Sequence, residues 1–353
     1  MSPKKNAFSM PAEWEPHRAT WICWPHQESD WLEKFPAIRW VYAEIVRVLS
    51  KSEQVCIICH DASIRELAAS TLSLCGIREE TCRFYIQAND RSWLRDSGPT
   101  AVRTADGNLA WIKWTFNAWA KYENFEFDRN VPQTFAAQTG IPLVNAVRSD
   151  NSKPFVLEGG AIECDGRGTL MVTEECLLSQ VQERNPGLTR SQYEQHFKQY
   201  LGTEKTIWLG RGCEGDDTHG HIDDIARFTA PGKVLLAFED DPSDPFHEAS
   251  QDNLHRLSTA KDARGRSLEV AKLPMPGAIY YDGYRLPASY ANFYISNQAV
   301  LVPTFNDPRD YQAITQIKKA FPGRQVVGIN STDLILGMGT LHCLTQQEPQ
   351  SFD

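Results

Sequence analysis

The stretch from Glu158 to Thr173, EGGAIECDGRGTLMVT, holds the plan of the whole chain. It opens on an acid and two glycines, enters a β-prone run, turns at DGRG over 165–168 and returns as a second β-prone run. Asp and Gly accept positive φ, so the turn closes a hairpin and leaves the acid at its head. Three further segments share this texture: RDSGPTAVRTADGNLAWIKW from Arg95, GHIDDIARFTAPGKVLLAF from Gly220 and SYANFYISNQAVLVPTF from Ser289. Their turns are ADGN, APGK and SNQA. A fifth, shorter version, GMGTLHCLT, starts at Gly337.

Helical patterns fall between the hairpins: AIRWVYAEIVRVLSK from Ala37, SQYEQHFKQYL from Ser191 and DYQAITQIKKAF from Asp310, each apolar at i, i+3 or i+4 spacing. The repeat is a hairpin-plus-helix unit of about 60 to 70 residues, used about five times. Such units cannot each close a core alone. Arranged in a ring, they would send their polar heads to one centre, and Asp96, Glu158, His221 and Cys343 all lie in those heads. With no Gly/Ser linker or low-complexity segment to cut the chain, one domain spanning 1–353 is expected.

At 353 residues and 41% hydrophobic, the chain can bury a substantial core. A net charge of −9 gives no broad basic field for nucleic acid or an anionic membrane surface, and it suits a cationic ligand. No apolar run reaches the roughly 18 residues of a membrane span, and MSPKKNAFSMPAEWEPHR lacks the apolar stretch of a secretory signal. A cytoplasmic location is therefore expected. The nine cysteines are an odd, scattered set, which is no disulfide framework. Cys56 and Cys59 form a CxxC inside QVCIICH, but that apolar run reads as a buried strand with no second CxxC to complete a zinc site.

Cys343 sits between two nearby glycines and the remainder of LHCLTQQEP, and a cysteine there is a nucleophile only in the right company. That company is found in GDDTHGHIDDIARF from Gly215, where Asp216, Asp217, His219, His221, Asp223 and Asp224 crowd one stretch. If it enters the IDDIARF run as a strand, His219, His221 and Asp223 alternate onto one face. His219-Gly-His221-Ile-Asp223 also matches the start of the HxHxDH pattern of dinuclear zinc hydrolases. Asp224 stands where the final histidine ligand belongs, so no metal is expected. WLRDSGPT, from Trp93, and LEGG, from Leu157, add Asp96 and Glu158, the latter followed by glycines that permit tight packing. Three acids beside a thiol and an imidazole fit a guanidinium, which donates paired hydrogen bonds to carboxylates.

Over nearly its whole length, from MPAEWEPHRATWICWPH at Met10 to HCLTQQEP, the chain resembles the agmatine deiminases, in the peptidylarginine-deiminase-like branch of the guanidino-modifying superfamily. NDRSWLRDSGPT, FNAW, LEGGAIECDGRGTLMVTEECLL, GHIDDIARF and LPASYANFYI carry the likeness. It implies an α/β fold, a five-bladed α/β propeller (the pentein fold) of pseudo-fivefold ββαβ-type repeats. It further implies that Cys343 is the nucleophile, His221 the general acid/base, Glu158 its orienting partner, and Asp96 and Asp223 the guanidinium-binding pair. The expected reaction is hydrolysis of agmatine to N-carbamoylputrescine and ammonia through an amidino-cysteine, with no cofactor. Trp93 and Asp217 are expected at the substrate's far end, where agmatine carries an ammonium and arginine a carboxylate. Deimination of free or peptidyl arginine, amidino transfer, and non-catalytic polyamine binding are the alternatives. A homo-oligomer is compatible with the sequence. Two departures stand out: Met338 interrupts the usual glycine run, and THGHID replaces the more common TDGHVD.

Overall fold

The computed structural model describes residues 7–150 and 152–351. Residues 1–6, where the segment inspected for a secretory signal begins, and residues 151, 352 and 353 of the expected domain lie outside the described residues. The fold is mixed α/β, and the four expected hairpins form at their turns. Thr100–Thr104 pairs antiparallel with Leu109–Lys113, Glu163–Cys164 with Thr169–Thr173, Ala226–Ala230 with Lys233–Phe238, and Tyr294–Ile295 with Ala299–Thr304. In the DGRG turn Gly168 sits at φ 94°, a conformation that side-chain-bearing residues resist.

Each hairpin then gains a parallel strand across a helix, because a parallel neighbour needs a crossover. The helices are Val131–Thr139, Arg190–Leu201, His247–Thr259 and Asp310–Ala320. The strands they deliver are Leu143–Asn145, Lys205–Leu209, Glu269–Pro274 and Gln325–Asn330. The fifth unit is assembled from both ends of the chain. Thr345–Pro349 pairs antiparallel with His17–Cys23, which is joined through helix Phe35–Leu49 to the parallel strand Gln54–Cys59, itself beside Cys82–Ile86. The QVCIIC run is thus the buried strand its composition indicated, and burial pushes the Cys56 and Cys59 thiols up to about 12. Among the described residues no sheet closes on itself.

Helix Phe35–Leu49 shows how neighbouring units share a core. Ile38, Tyr42, Ile45, Val46 and Leu49 form one buried face. That face belongs to the same apolar cluster as Val55 and Ile57 of its own sheet and Leu301 and Ile329 of the preceding unit. Full burial of such side chains is worth about 1.5–3 kcal/mol each, so neither sheet can leave the helix cheaply.

Polar ties run through the centre as well. Glu13 is buried and accepts hydrogen bonds from Arg227 at 2.9 Å, Ile295 N–H at 2.8 Å, His342 Nε2 at 2.7 Å and Arg95 at 3.4 Å. Arg227 also donates through Nε to Glu163 at 3.1 Å. Burial is the largest influence on Glu13 and pushes its pKa up, but Arg227, His342 and Arg95 overcome it and hold the carboxyl well below the ordinary range. Removing one partner from such a set leaves a buried charge uncompensated. Glu13→Ala should therefore lose about 3–5 kcal/mol of unfolding free energy in urea titration, with Glu13→Gln losing less. The stability Glu13 contributes is present above its unfolded pKa and is lost as pH falls through the depressed folded one.

Candidate active site

Four units open on a short helical turn just before or beside the first strand: Leu94–Ser97, Gly159–Ala161, Ile222–Asp224 and Leu341–Leu344. In the remaining unit the residues around Asn292 take this place, ahead of Tyr294–Ile295. These turns bring Asp96, Glu158, His221, Asp223 and Cys343 together. His221 Nδ1 lies 3.8 Å from Asp96 Oδ2 and its Nε2 3.6 Å from Glu158 Oε2. Cys343 Sγ lies 3.7 Å from Asp223 Oδ2 and accepts from Asn292 Nδ2 at 3.1 Å.

Gly160 is the residue around which His221, Asp96 and Asp223 converge. A Cβ there would stand 2.5 Å from His221 Nδ1, 2.9 Å from Asp96 Oδ1 and 3.1 Å from Asp223 Oδ2. No side chain fits, and Gly160 N–H instead donates to Asp96 Oδ1 at 3.0 Å. A cavity of about 310 Å³ opens over this group, lined by Asp96 and Cys343 together with Trp93, Trp119, Asp217 and Met338, among others. That is the size of a small-molecule site. Both ring nitrogens of His221, Glu158 Oε2 and Asp223 Oδ1 are buried yet carry no hydrogen bond from the protein.

Burial is the largest single influence on each of these ionisable groups. Acting with the carboxylates of Asp223, Asp224 and Asp96, it pushes the Cys343 thiol well above its usual value. It lifts Asp96 to about 6 against the attraction of His221, with Asp223 and Glu158 adding to the rise. For His221 burial opposes the charge, but Asp96, then Cys176 and Glu158, carry the imidazole well above the ordinary range. The Glu158 carboxyl falls below its usual value because Arg184, whose Nε is 3.2 Å away, and His221 outweigh burial. Asp223 is likewise lowered, chiefly by the hydrogen bond from His342 at 2.7 Å, which also outweighs burial.

The sequence reading located the five central residues and two of the cavity walls. Trp93 lines the cavity, and Gly337 and Gly339 lie so close to its ring that a Cβ on either would meet it at 2.8 Å. Between them Met338 adopts φ 69°, the left-handed region that a glycine would occupy freely. Asp217 also lines the cavity, but its carboxylate already carries Lys121 and, at 2.6 Å, the Tyr122 hydroxyl. His219 departs from expectation. The segment is no strand: Ile222–Asp224 is a 3-10 turn, so His219 does not share a face with His221 and Asp223. Its Nε2 lies 3.1 Å from Ser179 in an outer groove.

Several groups escaped the sequence reading. Trp119 donates to Asp96 Oδ2 at 2.8 Å from a run, Ala118 to Ala120, whose φ values are 49°, 60° and 54°. Three side-chain-bearing residues in that region cost about 1 kcal/mol or more apiece, and FNAW gave the only signal. Asp216, which the sequence reading named among the crowded ionisable groups, has a role it did not foresee: it fixes the loop by accepting from Gly220 N–H at 2.8 Å and His221 N–H at 2.9 Å. Asn292 lies in the LPASYANFYI stretch that looked familial but carried no chemical signal of its own.

Fold and site together define a mixed α/β protein with a buried thiol, imidazole and carboxylates under a small acidic cavity. The family model for Porphyromonas-type peptidyl-arginine deiminase matches residues 9–349, and the chain belongs to that family. It is 36% identical to an agmatine deiminase of Pseudomonas aeruginosa, over 99% of this chain and 97% of that protein. The solved agmatine deiminase of Enterococcus faecalis superposes with a TM-score of 0.89 at 32% identity, covering 99% of this chain and 97% of that one. A cysteine-to-serine variant of C. jejuni agmatine deiminase, solved with substrate bound, gives 0.86 at 27%, covering 98% and 97%.

A stability consequence follows from Asp96. Its folded pKa of about 6 lies above the unfolded value of 3.8, so the folded state holds the proton more tightly and ionisation weakens it as pH rises through that window. Asp96→Asn sets its amide N–H₂ against one of the two N–H donors that Asp96 accepts from, a constant cost, but should gain up to about 2–3 kcal/mol on wild type as pH rises from about 4 to 7. The gain should vanish below about pH 4, where both states are protonated. Thermal melts across pH check this.

Proposed function

We propose that this chain hydrolyses agmatine to N-carbamoylputrescine and ammonia. The observation that carries the proposal is the gathering of His221, Asp96 and Asp223 around Gly160, with Glu158 beside His221 and Cys343 beside Asp223, beneath a cavity of about 310 Å³. Around that centre we propose a single domain over 1–353, with the five units set as blades of an α/β propeller. Nine cysteines, all free, fit a reducing cytoplasm. No helix of the described residues is long and apolar enough to cross a membrane.

In the proposed reaction the guanidinium seats between Asp96 and Asp223, whose unpartnered Oδ1 can accept from it. The carboxylates that hold the Cys343 proton are then neutralised, so the cation itself lowers the thiol pKa and the proton leaves to solvent. The thiolate sulfur bonds to the guanidinium carbon, and the tetrahedral adduct expels one nitrogen as ammonia after His221 donates a proton. Neutral His221 next takes a proton from water, whose oxygen adds to the amidino carbon. Collapse forms the C=O bond and breaks the C–S bond, and the hydroxyl proton passes to the departing Cys343 sulfur, restoring the thiol. Glu158, held by Arg184, fixes the ring and stabilises its charge.

Trp93 and Asp217 line the same cavity, and Asp217 is placed to receive the ammonium tail in exchange for Lys121. The family model's description names peptidyl arginine, but a cavity this small favours a free small molecule over a peptide chain.

Ammonia release should be orders of magnitude greater in kcat/KM on agmatine than on free arginine or a peptidyl-arginine substrate. Equal turnover of either rival would move the assignment to it. Cys343→Ser should abolish turnover in a folded protein, and mass spectrometry of quenched wild-type enzyme should find the amidino adduct on Cys343; an adduct on Cys213 or Cys164 overturns the mechanism. Losing a charge-assisted hydrogen bond costs roughly 1.5–3 kcal/mol, so Asp217→Asn should lower kcat/KM for agmatine by about 10- to 150-fold, chiefly through KM.

A further inference from the structure

Beside His221 and Glu158 lies a thiol that the proposed reaction does not use. Cys176 is buried on the short helix Glu174–Leu178, which Thr173 caps by accepting from Cys176 N–H at 3.1 Å. One ligand atom from each of Glu158, Cys176 and His221 lies within 4.8 Å of the other two. Glu158 Oε2 and both His221 nitrogens carry no hydrogen bond from the protein. Glu158 Oε1, by contrast, is occupied by Arg184, which orients the free oxygen as an outer-shell partner orients a ligating carboxylate.

We infer that Glu158, Cys176 and His221 form an inhibitory site for a thiophilic divalent cation of the Zn²⁺ class. Thiolate, imidazole and carboxylate are a ligand set that such an ion accepts, with a fourth position left open. The nitrogen–oxygen spacing is close to what it needs. Zinc holds nitrogen and oxygen at about 2.0–2.2 Å, which in a tetrahedron sets them roughly 3.3–3.5 Å apart, and His221 Nε2 and Glu158 Oε2 already stand 3.6 Å apart.

Binding releases protons in balance: Cys176 gives up its thiol proton to form the metal–sulfur bond, and His221 gives up the proton of its imidazolium to free a nitrogen lone pair. Neither residue is oxidised. A His221 so engaged can no longer donate to departing ammonia or accept from water, so the ion blocks turnover without touching Cys343. Affinity rises with pH as the two protons become easier to release.

The inhibition rests on the deiminase reading, whereas ion binding does not, so the two are tested apart. Cys343→Ser protein, which lacks the nucleophilic thiol, should bind one equivalent of Co²⁺ with a thiolate-to-cobalt charge-transfer band. The Cys176→Ser/Cys343→Ser double variant should lose that band, and Glu158→Gln in the Cys343→Ser background should weaken binding at least roughly tenfold. A matching melting temperature shows that each variant is folded. In agmatine turnover, Zn²⁺ should inhibit wild-type enzyme reversibly to EDTA, and Cys176→Ser should raise the inhibition constant at least roughly tenfold relative to its own uninhibited rate. A band absent from the Cys343→Ser protein, or inhibition that Cys176→Ser leaves unchanged, would place the ion on the nucleophile and overturn the inference.

Discussion

The pair formed by Glu13 and Arg227 is the contact on which the rest of the molecule leans. Glu13 belongs to the segment that precedes the first long strand, yet its two oxygens meet groups from four units: Arg95, Arg227, the backbone of Ile295, and His342. Arg227 supplies the remaining one through Glu163 and also donates to the carbonyl of Ala291 at 3.2 Å. Charges this deeply buried are costly unless every lone pair and proton finds a partner. Here the partners come from all five units, so the polar centre can be satisfied only when all five are in place. Apolar burial holds neighbouring units together pairwise, and this network makes their arrangement specific.

His342 carries that constraint into the site. Its ring spans Glu13 and Asp223 at 2.7 Å on either side, next in sequence to Cys343. A carboxylate oxygen thus faces each of its nitrogens. Asp223 Oδ2 is thereby fixed, and Oδ1 remains unpartnered. The central network thus does two things with one set of atoms: it satisfies the core and aims a carboxylate.

How much of this could be read from residues depended on range. The hairpin turns and amphipathic helices are local signals, and ADGN, DGRG, APGK and SNQA all close where read. Asp96, Glu158, His221, Asp223 and Cys343 were legible as a group because each sits at the head of such a unit. Glu13 was not legible, because its partners lie 82 to 329 positions away. The fifth unit looked short for the same reason: Thr345–Pro349 finds its partner at the other end of the chain, in His17–Cys23. His219 shows a different failure. Alternation assigns faces only along a strand, and Gly220 at φ 94° followed by the Ile222–Asp224 turn breaks the period just where it was applied.

What remains is why so acidic a centre is tolerated. Asp96, Glu158, Asp223 and Asp224 are all buried in one centre, where Asp96 feels the charge of Asp223 and Glu158, and Asp224 that of Asp223 and Asp216, as well as their own desolvation. Arg184 and His342 offset Glu158 and Asp223 individually, while Asp96 and Asp224 are pushed up and remain undercompensated. A protein selected for stability alone would replace such residues, since apolar side chains of similar volume cost less there. The strained Ala118–Ala120 run adds to the expense while bringing Trp119 onto Asp96. Both features make physical sense if the missing positive charge arrives with the proposed substrate. A guanidinium relieves the repulsion between the acids and, by the same electrostatics, releases the Cys343 proton that those acids were holding, so destabilisation of the empty site and activation of the nucleophile are two readings of one charge imbalance.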